Sequence, residues 1–528
     1  MMNSLTARRH GGQARFTLRG THRLFDFSRG ALLVLGLALG GCGSGGTDPA
    51  PPEPSSDRLE QAGRWMVDGA GRVVIVRGVN MVNKLAPYTL SAAGFDERDA
   101  AMLRDAGFNA VRVGVIYSAV EPAPGIYDAA YLDDIARTVE MLARYGIRSL
   151  LDYHQDLWGP TFNGQGMPEW ATQTDGLATG PNVGFPQDYF SIPGVARAFD
   201  NFWANKPGPG AVGLQDRYAA ALAHVAKRFA STPGVLGYDL FNEPFPGADW
   251  PGCLRSAGCV DFDQKKLTPF HARAAAAIRA VDRDTLIFFE PNILFGLGAA
   301  THVEKPPQDG IGFSFHAYGC MGDAGCVSVF GENGTSRAII AKAVQFGASG
   351  VALLATEWGA FTPVNSGGQS VPALITAGAD EFDAAMMPWL YWTWANKTPY
   401  FIPMGSESQG IVVDLTKPRS GDNVNQDRLD ALSRPYPRVV AGTPERWSYD
   451  AASNTFTLSY LPIQAGNRRL AADAETEIFL PARRFPNGYF LNVTNGSVVS
   501  PPGDRLIRLR NLPGAQRVTV TVSPPRPN

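Results

Sequence analysis

Histidine and cysteine are scarce in this 528-residue chain, seven and five respectively. No His-x-x-x-His or His-Glu-x-x-His run is present, which removes the helical zinc-hydrolase arrangement, and no metal is expected. Charge is thin as well, at 18% of residues with a formal net charge of −2. The chain also lacks an apolar stretch suited to a membrane span: the run from Ala31 to Leu39 is too short to cross a bilayer as a stable helix. What remains is an ordinary globular composition, 45% hydrophobic, long enough for a barrel of about 250–350 residues plus a smaller domain.

Residues 1–41 carry Arg8, Arg9, Arg15, Arg19, Arg23 and Arg29 against Asp26, ahead of that apolar run. This is the basic and apolar pattern of an export signal. It stops at Leu39-Gly40-Gly41-Cys42, which resembles a bacterial lipobox and makes Cys42 a candidate for lipidation. A simple secretory signal is the plainer alternative. The Gly, Ser and Pro-rich stretch over residues 42–57 reads as a flexible tether. Loss of six arginines and one aspartate takes the formal charge from −2 to −7, which argues against nucleic acid as a partner. The expected location is the cell envelope, with membrane association through the lipid anchor, or outside the cell if Cys42 is not lipidated. The other cysteines form two near pairs, Cys253 with Cys259 and Cys320 with Cys326. Export favours disulfides there, and the five-residue gaps exceed usual zinc-ligand spacing.

Residues 58–430 alternate apolar runs with amphipathic stretches. The runs begin at Val73, Ala110, Ser149, Val235, Thr285, Ile311, Val351 and Trp389, and helical periodicity marks residues 129–145, 214–230, 265–280 and 336–346. Eight such alternations predict an α/β fold, a (β/α)8 TIM barrel, in preference to a doubly wound sheet. Residues 431–528 switch to short period-two segments separated by Gly, Pro and Asn, predicting a C-terminal β-sandwich.

Two runs end in glutamate: Gly237-Tyr-Asp-Leu-Phe-Asn-Glu-Pro-Phe245 presents Glu243, and Leu353-Leu-Ala-Thr-Glu-Trp-Gly359 presents Glu357. A barrel displays its chemistry at the carboxyl ends of its strands. Two carboxyls there suit a retaining glycosidase, which keeps one acid protonated and one ionised about 5–5.5 Å apart. Asn242 beside Glu243 requires the backbone to turn at that point, because neighbours on a strand face opposite ways.

Across residues 60–400 the chain resembles glycoside hydrolase family 5, with Arg112, His154, Asn242, Glu243, His316, Tyr318, Glu357 and a tryptophan of Tyr391-Trp-Thr-Trp-Ala395 at strand ends. Within that family it is most similar to the endoglycoceramidases. The likeness rests on Asp152-Tyr-His-Gln-Asp156-Leu-Trp158, on Asn163-Gly-Gln-Gly-Met-Pro-Glu-Trp170 and on Lys84 in Asn80-Met-Val-Asn-Lys84. The resemblance implies Glu243 as acid and base and Glu357 as nucleophile, the latter supported by Arg112 and Tyr318. It implies Asn242 on the sugar 2-hydroxyl, His154 and His316 on hydroxyls or carboxylates, and Asp156 and Lys84 on the first glucose. No cofactor is implied, and the substrate would be a glycosphingolipid or another β-glycoside.

Period two puts Trp392 and Trp394 on one face, and Trp394 is the expected sugar platform because Asn396-Lys397 follow it. The aromatic-rich insertion from Leu157 to about Pro209 is the expected wall of an apolar trough for ceramide. The rival readings are another enzyme of the same barrel, such as an endoglucanase, mannanase or steryl or lipid glucosidase, and a non-catalytic glycan-binding lipoprotein.

Overall fold

The structure is a computed structural model that describes residues 58–322, 328–360, 369–395 and 409–525. The leader, the tether, Cys42, Cys326 and Asn396-Lys397 lie outside the described residues.

Eight parallel strands close into a barrel: β1 (Arg77–Met81), β2 (Ala110–Val115), β3 (Arg148–Tyr153), β4 (Val235–Asp239), β5 (Leu286–Phe289), β6 (Ile311–Ala317), β7 (Ala352–Trp358) and β8 (Trp389–Tyr391). β8 pairs with β1 in register Trp389 to Arg77, which closes the ring. Each strand is buried almost throughout, because side chains fill the lumen on one face and meet helices on the other. The helix Ala129–Arg144 shows the reason for that cover: Leu132, Ile135, Val139 and Leu142 recur at three and four and are buried, while Asp128 caps its first turn.

Strict alternation fails once. β5 is followed by a short 3-10 turn, Ile293–Leu297, capped by Asn292 and ended at Gly298 with φ 119°. That left-handed conformation suits glycine and stops the helix. The expected first strand also divides in two. Val73–Val74 pairs with Val439 and Val440 in another sheet, and only from Arg77 does the chain enter the barrel.

That other sheet has seven strands, three of them from residues 60–74 and the others Tyr436–Val440, Glu475–Phe479, Leu506–Asn511 and Gly496–Val498. It faces a four-stranded antiparallel sheet built from Thr443–Asp450, Thr455–Leu461, Val518–Ser523 and Phe490–Thr494. Trp447, Phe456, Tyr460, Val520 and Val440 fill the space between the sheets. Leu59, Met66 and Val74 instead pack against Ala110, Leu150, Leu236, Leu286 and Leu390, and so form the floor of the barrel. Asp383, held in a buried ion pair with Arg77 of β1, joins the two parts. Asp383 also accepts from Trp447 Nε1 at 2.8 Å and pairs with Arg434 at 3.1 Å.

Candidate active site

Arg112, on β2, organises the carboxyl-end face. Fully buried, its guanidinium meets Asp152 at 2.9 Å, Asp239 at 3.0 Å, Glu290 at 2.9 Å and Glu357 at 2.5 Å. It also donates to Asn242 Oδ1 at 3.0 Å. Burial opposes its charge, yet the four surrounding acids outweigh that and hold its pKa well above the ordinary value. A buried charge of this kind persists only when it is fully paired.

Glu357 lies within β7, where the pairing with β6 slips between Ala355 and Glu357 and brings Glu357 opposite His316. Its second oxygen accepts from the Tyr318 hydroxyl at 2.7 Å. Glu243 stands four residues beyond β4, with φ 48°. The left-handed turn is uncommon for a non-glycine residue, and it lets Asn242 and Glu243 both face the lumen, as the sequence argument required. Asn242 is oriented from both ends, because its Nδ2 donates to the Gln155 carbonyl at 2.9 Å.

His316 bridges the two glutamates. Its Nδ1 lies 2.9 Å from Glu243 Oε1 and 3.5 Å from Glu357 Oε2, while Nε2 lies 3.3 Å from Glu290 Oε1. One oxygen of each glutamate and a ring nitrogen of His316 lie within 4.8 Å of one another. A metal ion could use that spacing. Although burial opposes its charge, the acids around His316 raise its pKa well above the ordinary value, and the contacts place a proton-carrying ring between the two glutamates. Burial raises the Glu243 pKa and the charge of Glu357 raises it further, against His316, which pulls it down.

A second group adjoins the first. Lys84 Nζ pairs with Asp156 Oδ2 at 2.6 Å, and His154 spans Asp152 at 2.7 Å and Asp156 at 3.2 Å. Burial would lower the His154 pKa, but these two aspartates push it up to about 9. The His154 ring stacks on Trp392 at 5.6 Å and Lys84 Nζ sits 4.5 Å from the same indole. Asp156 and Gln165 are joined backbone to backbone at 2.9 Å, so the His-Gln-Asp and Asn-Gly-Gln segments quoted above meet in space.

Two expectations are corrected. Trp394 is not a sugar platform: the strand ends at Tyr391, period two lapses, and the indole is fully buried with Nε1 on Asp99 Oδ1 at 2.8 Å. Trp392 alone reaches the site. Most of the insertion's aromatics pack and do not wall a trough, since Trp158, Tyr189, Phe202 and Trp203 are buried among Phe199, Phe241 and Phe270. These rings attach the loop to the barrel, while Trp170 and Phe185 are half-buried and Phe190 is exposed, edge-on to Trp250 at 4.9 Å.

Sequence reading missed Asp239 and Glu290, and it quoted Asp152 without a role. Each had a signal. Glu290 closes its apolar run just as the two named glutamates do, and Asp239 is a charge inside a buried strand, which only a partner makes tolerable.

A family model described as Cellulase (glycosyl hydrolase family 5) matches residues 67–398. The chain belongs to glycosyl hydrolase family 5. The family's C-terminal domain model matches residues 434–522, so this family 5 glycosidase carries both parts. Endoglycoceramidase I of Rhodococcus hoagii (strain 103S) is 29% identical over 473 residues, 88% of each chain. Among solved structures, endo-glycoceramidase II from Rhodococcus sp., described as a lactosyl-enzyme intermediate, is 30% identical with a TM-score of 0.69, covering 88% of this chain and 100% of that one. The same enzyme in a ganglioside GM3 complex is 28% identical with a TM-score of 0.68, covering 88% and 99%.

Proposed function

We propose that this glycosidase is a retaining endo-β-glycosidase that cleaves the glycan–ceramide bond of glycosphingolipids. The observation that carries the reading is the Glu243–His316–Glu357 trio, in a chain 30% identical to an endo-glycoceramidase described as a lactosyl-enzyme intermediate. In the first step Glu357 attacks the anomeric carbon, the bond to the ceramide oxygen breaks, and the Glu243 proton passes to that oxygen. In the second, Glu243 takes a proton from water, the hydroxyl adds to the anomeric carbon, and Glu357 leaves as carboxylate. Its burial favours the protonated Glu243 needed first. Arg112 and Tyr318 stabilise the Glu357 carboxylate. Asn242 takes the sugar 2-hydroxyl, Lys84 and Asp156 the neighbouring hydroxyls, and Trp392 the apolar face of the ring.

Export with lipidation of Cys42 belongs to the same reading. A disulfide joins Cys253 to Cys259, and Cys320 is also disulfide-bonded, which supports an oxidising compartment. A lipid anchor would keep the enzyme at a surface where glycolipids are presented. Palmitate labelling lost in Cys42→Ala tests the anchor.

The activity is tested by incubating detergent-dispersed lactosylceramide with the protein and identifying both products by mass spectrometry. Ceramide with intact lactose is the expected result. Release of single sugars, or turnover only of cellulose or mannan fragments, would refute cleavage at the lipid junction.

A further inference from the structure

Glu290 has no part in the steps above, yet it touches Glu243, Arg112 and His316 of the same constellation. It follows β5 directly and is buried. Its Oε2 accepts the backbone N–H of Glu243 at 2.9 Å. Its Oε1 meets Arg112 Nη2 at 2.9 Å and His316 Nε2 at 3.3 Å. The peptide it holds is the one at which the chain takes φ 48°, the conformation that turns the Glu243 side chain inward beside Asn242. The opposite side of that turn is held by Gln155, whose Nε2 donates to the carbonyls of Asn242 at 3.0 Å and Glu243 at 3.2 Å. Backbone in this region needs surrounding contacts to over-determine it. On the far side of His316, Nδ1 reaches the carboxyl of Glu243 itself. Glu290 therefore grips Glu243 twice, through its peptide and through His316. Glu357 is linked to Glu290 less directly: Arg112 Nη1 at 2.5 Å and the Tyr318 hydroxyl at 2.7 Å hold it, and its links to Glu290 run through the other nitrogen of that guanidinium and a longer contact to His316 Nδ1 at 3.5 Å.

We infer that Glu290 is the positioning residue of the proton-transferring glutamate: it fixes where the Glu243 carboxyl stands relative to the departing oxygen and leaves the nucleophile in place. This rests on the retaining reading given above. The charge of Glu290 serves Arg112 and His316, and its geometry serves the Glu243 peptide.

The consequence is a dependence on the leaving group. A ceramide alkoxide needs the proton, whereas a dinitrophenolate departs without one. Glu290→Ala and the near-isosteric Glu290→Gln are compared with the wild type on lactosylceramide and on 2,4-dinitrophenyl β-lactoside, with and without azide. The expected result is a fall in kcat/KM on the order of 10²-fold for lactosylceramide in Glu290→Ala, with a much smaller change for the aryl lactoside. Glu290→Gln follows in the same direction with a smaller loss. Azide, which needs no base to attack the glycosyl-enzyme, should raise kcat of the variants on the aryl lactoside. The ratio of the two kcat/KM values does not depend on how much enzyme is folded, so residual activity in either variant is decisive. Equal losses on both substrates without an azide effect would overturn the proposal. Failure of the wild type to release lactose would overturn the retaining ceramide reading instead, a separate result.

Discussion

His271 sits on the inner face of the helix Thr268–Arg279, packed against Phe289 of β5 with ring centroids 5.3 Å apart and against Phe270. Neither ring nitrogen has a hydrogen-bond partner among the described residues. Burial alone lowers its pKa from the ordinary 6.5 to about 3. In the unfolded chain this histidine takes a proton as pH falls through 6.5, while in the folded protein it stays neutral. The unfolded state therefore binds more protons over this window, and stability is lost as pH falls from 6.5 toward 3. Each pH unit in that interval is worth about 1.4 kcal/mol, so at pH 4.5 the cost is about 2.7 kcal/mol. Leucine at this position cannot titrate and fits an apolar environment on a helix. Thermal unfolding of wild type and His271→Leu is compared at pH 7.5 and pH 4.5. Whatever constant offset the substitution introduces, the variant should gain on the wild type by about 2.7 kcal/mol between the two pH values, a relative rise in Tm on the order of 3 °C. A difference that does not change with pH would refute a buried neutral histidine.

The two tryptophans of the last strand should separate cleanly. Trp392→Ala should impair kcat and KM with little change in Tm, whereas Trp394→Phe should leave KM unchanged and lower stability by about 1–3 kcal/mol, because Asp99 loses a buried donor. Asp239 accepts from Ser314 at 2.8 Å and from Arg112 at 3.0 Å, and its burial, with the help of neighbouring acids, raises its pKa well above the usual carboxylate range. A folded-state pKa above the unfolded value means that the folded protein loses stability as pH rises through the ordinary aspartate range. Asp239→Asn should therefore fold, retain most of kcat, and gain in Tm over the wild type from pH 4 to pH 7, as followed by calorimetry. Replacing Cys253 and Cys259 by serine opens a loop with a sequence separation of 6, and urea unfolding should report a loss of about 2 kcal/mol.

The barrel was legible because its strands are buried on both faces and read as continuous apolar runs, and because polar residues stand at their ends. Glu243 and Glu357 were found in this way, Arg112, Asn242, His316 and Tyr318 through the resemblance to family 5, and all six converge on one constellation. The misses have a common cause. Periodicity reports which residues are buried, not what they face. Val73 and Val74 read as barrel strand because a sandwich core and a barrel floor look equally apolar in sequence. Trp394 shared a predicted face with Trp392 only for as long as the strand continued, and it stops at Tyr391. The aromatics after β3 signalled a binding wall or a packed loop equally well, and only their contacts with Phe241 and Phe270 decide between these. Glu290 is visible as a strand-end acid, but its hold on the Glu243 peptide depends on two segments 47 residues apart.

The floor of the barrel sets an order of assembly. Leu59, Met66 and Val74 seal it from a sheet whose next strand, Tyr436–Val440, is more than 360 residues away along the chain. Emerging from the ribosome or a translocation channel, the chain has its first strands available long before the strand that must pair with them. The early hairpin waits unpaired, its apolar face exposed, until the last fifth of the protein arrives. Contacts this distant in sequence make for slow folding and a vulnerable intermediate. A protein cut after the barrel would keep all its reacting groups, lose the partner of its own plug, and present an open sheet edge to its neighbours.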